Sequence, residues 1–147
     1  MGNSRERGAR SQHWAVPAWV RLARVYHKID HALVAQLREH GLTLAQFDVL
    51  AHVGAAEGLT QQELARRLLV TKGNVTQLLD RMAESGLIAR QQQGRCNRVN
   101  LTDAGRRLYE TVVPRHEAEI ARLLAALPTE DQRALAFLLR RLDNALE

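Results

Sequence analysis

The stretch Thr60-Gln61-Gln62-Glu63 constrains this chain most, because a hydroxyl followed three residues later by a carboxylate satisfies two backbone donors reciprocally and begins a helix at about Gln61. Leu64, Ala65 and Leu68 then fall at helical spacing and leave Gln61, Gln62, Arg66 and Arg67 outside. After Leu69-Val70, the run Thr71-Lys72-Gly73-Asn74 predicts a second helix, with Thr71 as its N-cap and Gly73 allowing close approach of another surface. That helix is expected to bury Val75, Leu78, Leu79 and Met82 and to stop at Ser85-Gly86, with Gly86 as a left-handed C-cap. Next come Leu87–Arg90, a turn over Gln91–Arg95 with Gly94 at its tip, and a strand Cys96–Leu101 in which Val99 and Leu101 alternate with Arg98 and Asn100. Helix, turn, helix and basic hairpin, in that order, suit a winged helix-turn-helix.

The outward residues of the second helix carry the chemistry. Amides pair bidentately with adenine, lysine prefers guanine, and threonine offers a hydroxyl or a methyl contact to thymine, so Lys72, Asn74, Thr76 and Gln77 form a face suited to a major groove. Arg95, beside the tip, is placed to enter the adjacent minor groove, where the potential is most negative. Arg98 reads either as a DNA contact or as the partner of an acidic neighbour. Arg66, Arg67 and Arg81 suit phosphates or internal ion pairs, and Asp80 reads as structural. The predicted DNA-contacting set is Thr71, Lys72, Asn74, Thr76, Gln77, Arg81, Arg95 and Arg98.

Helical periodicity resumes on both sides of this unit. From His13 to His40 the stripe Trp19, Leu22, Tyr26, Ile29, Leu33, Leu37 predicts one long amphipathic helix that ends before Gly41. Thr43–Gln46 is a second capping box, opening a helix to about Ala56 that buries Phe47, Leu50 and Val53. Thr102 caps a further helix to about Leu127, kinked by Pro114, with Leu108, Val112, Ile120, Leu123 and Leu127 on one face. Pro128-Thr129-Glu130 restarts a last helix striped by Leu135, Leu138, Leu142 and Leu146. The terminal stripes exceed what the small lobe can cover, which predicts a homodimer joined through them. The expected architecture is mainly α with a small β-hairpin wing: a basic arm over 1–12 carrying Arg5, Arg7 and Arg10, a helical dimerisation region over 13–40 and 106–147, and a winged DNA-binding lobe over 41–105.

The chain has 147 residues with a net charge of +5, which favours an anionic partner without choosing among DNA, RNA and acidic membranes. It lacks a transmembrane run and the apolar core of a signal peptide, and its single cysteine, Cys96, permits no intramolecular disulfide, so a cytoplasmic location is expected.

Four segments, 42–50, 59–65, 75–90 and 101–105, resemble the motif series of the MarR (multiple antibiotic resistance regulator) family, and the resemblance runs from about residue 13 onward. It implies a homodimeric, ligand-responsive regulator of transcription, usually a repressor, on a pseudo-palindromic duplex DNA site. The resemblance further implies an effector of the kind many members of the family bind, a small anionic or phenolic compound held between the helical region and the winged lobe, for which Trp19, Arg24, Tyr26 and His27 are the candidate contacts. Gln93 stands where the family's wing carries Asp, two residues before the groove-inserting arginine; an amide can hydrogen-bond Arg95 but cannot neutralise it. The stretch from Arg90 to Arg95 is also shorter than the family's usual wing.

His27 and His31 have metal-ligand spacing, but two histidines do not close a site, and no metal or other cofactor is expected. His116 falls on an apolar stripe as a hydrogen-bonded interface residue. Cys96, between Arg95 and Arg98, reads either as a thiol activated by neighbouring cations or as a small inert residue. No phosphate-binding loop, nucleophile–base pair or closed metal motif marks an enzyme. The rival reading is an architectural or protein-docking winged module without sequence choice; a metal- or thiol-sensing regulator is a variant of the first.

Overall fold

The computed structural model describes residues 13–68 and 74–147. Helix α1 spans Ala15–Arg38 and gives way at Gly41, whose φ of 71° is the left-handed turn that glycine adopts without a Cβ clash. Helix α2, Leu44–Ala55, starts at the predicted box: Thr43 Oγ1 accepts the Gln46 amide while Gln46 Oε1 accepts the Thr43 amide. A short strand β1, Leu59–Thr60, leads into α3, Gln61–Arg67, whose cap reciprocates in the same way between Thr60 and Glu63.

Helix α4 covers Val75–Glu84. The Thr71 cap falls outside the described residues, as do Lys72, Gly73 and the basic arm over 1–12. Asn74 occupies the N-cap position of α4 without a side-chain capping bond, and the helix buries Val75, Leu79 and Met82, with Leu78 half-buried. Gly86, at φ 74°, closes its other end as expected.

The wing is longer in strand and shorter in turn than its sequence predicts. Strand β2 runs Ile88–Gln93 and pairs antiparallel with β3, Cys96–Leu101, so only Gly94 and Arg95 link them. Gly94 has a φ of 61°. Among the described residues the sheet has three strands rather than two, in the order β1-β3-β2, with Leu59 opposite Val99 and Thr60 opposite Arg98.

Thr102 caps α5, Asp103–Leu124, which continues through Pro114 and ends short of the expected Leu127; α6 spans Thr129–Ala145. A buried core joins α2 to its surroundings: Leu50 and Val53 share one cluster with Leu37 of α1, Leu64 of α3, Leu79 and Met82 of α4, Val99 of β3 and Val112 of α5. Two glycines set how closely α5 approaches. A Cβ on Gly54 would collide with the Tyr109 ring, and one on Gly105 would collide with the Leu87 carbonyl. Arg106 fastens the same junction by donating to the Gly54 carbonyl and to Glu57.

The outer ends of the terminal helices lie bare. In α1 the predicted stripe buries only Leu33 and Leu37, while Trp19 and Tyr26 are 66% and 59% exposed; no residue of α6 is buried, and Phe137, Leu138 and Leu142 stand open.

Candidate nucleic-acid interface

The exposed face of α4 presents Asn74, Thr76, Gln77 and Arg81, as the helical spacing predicts. Thr76 is not alone on that face: Gln61 Nε2 of α3 donates to its Oγ1 at 3.1 Å, which orients the hydroxyl and couples the two helices. Asn74, Gln77 and Arg81 border a shallow groove of about 300 Å³ whose opposite wall is Thr43 and Ala45 at the start of α2. Gln61, Thr43 and Ala45 were missed by motif reading, and only the two capping boxes hint at them, since a capped helix start fixes what stands beside it.

The wing is tied to this face. Arg90 of β2 meets Asp80 of α4 at 2.7 Å, so the structural role expected of Asp80 is as a strut between helix and wing. Arg95 occupies the turn, exposed and without an ion pair among the described residues. Beside it a second groove of about 250 Å³ runs between the wing tip and Thr60, Gln61 and Gln62 of α3.

Gln93 does not hold Arg95. Its Oε1 accepts Nε of Arg98 at 2.9 Å, and Nη1 of Arg98 donates to the Gly58 carbonyl at 2.7 Å. Neither hydrogen-bond partner is acidic; the acidic neighbour that the sequence offered as an alternative is Glu63, which feels the Arg98 charge without forming an ion pair with it among the described residues. The reason is register: Arg98 lies in the central strand opposite both Thr60 and Gln91, within reach of both edges of the sheet.

At α3, the Thr60 amide holds the Glu63 carboxyl below its ordinary value, and the Thr60 hydroxyl and the cations Arg98 and Arg67 act in the same direction. The cap therefore stays ionised at neutral pH.

The candidate effector contacts Trp19, Arg24, Tyr26 and His27 all lie exposed on α1, with the Tyr26 and His27 rings edge-on at 5.9 Å. His27 and His31 are both exposed, and among the described residues no three His, Cys, Asp or Glu side chains converge to hold a metal. Cys96 is an exposed thiol. His116 is buried within the subunit: its ring lies 4.1 Å from that of Phe47 on α2, and its Nδ1 is 3.2 Å from Gln36 Oε1 on α1. Burial lowers its pKa, opposed by the charge of Glu117. No helix among the described residues is long and apolar enough to cross a membrane.

A sequence model of the MarR family matches residues 40–95. The chain is 32% identical over 129 residues to the HTH-type transcriptional repressor MdtR of Bacillus subtilis, covering 86% of this chain and 83% of that one. It spans 65% of the length of the Bacillus cereus HTH-type regulators to which it is 34% identical over 96 residues. Its fold is similar to that of AbsC, a MarR family regulator from Streptomyces coelicolor, with a TM-score of 0.84 at 24% identity over 92% of this chain and 95% of that one. A Mycobacterium tuberculosis MarR family protein, solved with salicylic acid, is 32% identical with a TM-score of 0.66, over 82% and 92% of the two chains.

Proposed function

The chain belongs to the MarR family of transcriptional regulators, and from that premise we propose that it is a ligand-responsive repressor that binds a pseudo-palindromic operator as a homodimer. One observation carries the DNA reading: Gln77 and Arg81 on the open face of α4 and Arg95 at the wing tip belong to elements joined by the Asp80–Arg90 pair, so a helix sized for a major groove and a cation sized for a minor groove are held as one surface. Asn74 and Thr76, with Thr71 and Lys72 of the preceding segment, complete the proposed contacts on this helix. The bare stripes of α1 and α6 support the homodimer, because burying each Leu, Val or Phe side chain contributes about 1.5–3 kcal/mol. Two recognition helices then reach successive major grooves.

Effector binding is proposed where α1 of the dimer faces the lobe, around Trp19, Arg24, Tyr26 and His27. The cation and rings of that set suit an aromatic carboxylate, the class of compound that the Mycobacterium tuberculosis relative was solved with.

The experiment is a salt-controlled titration of the promoter fragment the protein protects against a scrambled duplex of equal length. A sequence reader keeps an affinity ratio on the order of 10³ or more between them. A ratio near one replaces this reading with that of an architectural DNA-coating protein. Adding salicylate to the preformed complex then reads the effector step, and release from the specific duplex is the expected result.

A further inference from the structure

We propose that Arg98 is the positioning residue of the wing, holding the tip so that Arg95 meets DNA in one pose. This rests on the DNA-binding reading above and adds a residue whose guanidinium faces the sheet rather than the groove. Its two hydrogen bonds join places far apart in the chain: the Gly58 carbonyl, in the turn that precedes β1, and Oε1 of Gln93, the last residue of β2 before the Gly94-Arg95 turn. The Gly58 end is itself fixed, since its amide donates to Asn100 Oδ1 at 2.9 Å, so two side chains of β3 grip the same turn.

A clamp is needed here. Among the described residues the wing has, beyond Leu59–Thr60, only β2 and β3, and an isolated two-stranded hairpin is marginally stable in water. Hydrogen bonds from a charged donor are roughly twice as strong as neutral ones, and a rigid guanidinium fork spans two acceptors that a lysine ammonium on its flexible stem cannot hold in one geometry. With the acceptor of Gln93 committed to Arg98, Arg95 is left free to face a ligand.

The test separates geometry from charge. Dissociation constants are measured for the full chain, Arg98→Lys, Gln93→Leu, Arg95→Ala and the Arg95→Ala/Arg98→Lys double variant, on the protected duplex with A·T-rich or G·C-rich flanks at one salt concentration. Arg98→Lys keeps the charge and loses the fork. It and Gln93→Leu are each expected to weaken binding on A·T-rich flanks on the order of threefold to tenfold and to flatten the flank preference, with little change on G·C-rich flanks. Arg98→Lys is expected to cost less than about twofold once Arg95 is alanine, because a residue acting through Arg95 then has nothing left to position. An unchanged flank ratio in Arg98→Lys, or full additivity with Arg95→Ala, overturns the proposal. Gln93 is exposed, so its variant tests the same clamp even where Arg98→Lys fails to fold. A full chain that does not distinguish specific from scrambled duplex sinks the DNA-binding reading and this inference together; a preserved ratio with an unresponsive Arg98→Lys sinks the inference alone.

Discussion

Asp80 accepts the Arg90 guanidinium at 2.7 Å, joining the middle of α4 to the first half of the wing. Both side chains are partly exposed, so the pair contributes less than about 1 kcal/mol to stability. Its larger effect is on relative orientation. Asp80→Asn is expected to leave the urea midpoint nearly unchanged while weakening operator binding severalfold; equal binding by both proteins would show that the strut does not set the pose.

Gln77 presents its amide on the open face of α4. Gln77→Ala should cost about 1–3 kcal/mol on the specific duplex and relax preference at one base pair. The check is a binding series over single-base operator variants, and equal losses on specific and scrambled DNA would remove Gln77 from base readout.

His116 links stability to pH. Burial disfavours its imidazolium, so its folded-state value lies below the ordinary 6.5, with Glu117 pulling the other way. The unfolded chain then takes up the proton first as pH falls, so the contribution is complete above that ordinary value and is lost as pH drops through it toward the lower folded value. Between about pH 7.5 and 5.5 the urea midpoint of the wild type should fall more steeply than that of His116→Gln. Parallel slopes would mean that His116 takes up no proton on unfolding.

The open stripes of α1 and α6 lead to the expectation that dissociation and unfolding are coupled, with apparent stability rising with protein concentration. Mass photometry at nanomolar concentration checks this, and a folded monomer there contradicts it.

What the sequence made legible was local. Each capping box depends on residues three apart, and the boxes at Thr43 and Thr60 both formed as read. The end of β2 was illegible because Gln91, Gln92 and Gln93 are all exposed, so no alternation marks them as strand. Strand β1 has two residues, too few for any period. Arg98 was ambiguous because one of its acceptors is a main-chain carbonyl 40 residues away, which carries no side-chain signature. His116 was rightly placed on an apolar face, but periodicity cannot say whether that face meets the same chain or another.

The contact between Gln36 and His116 closes a loop of 80 residues, and that loop contains the winged lobe from Leu42 to Leu101. Closing a flexible loop of this length is entropically costly, but a lobe that has already folded replaces much of the floppy span with a rigid body whose two ends lie near each other. Leu37 of α1 and Val112 of α5 lie in the same buried cluster as Leu50, Leu79 and Val99, so the span between Gln36 and His116 is held against the two helices that it joins and does not hang from them as a free loop.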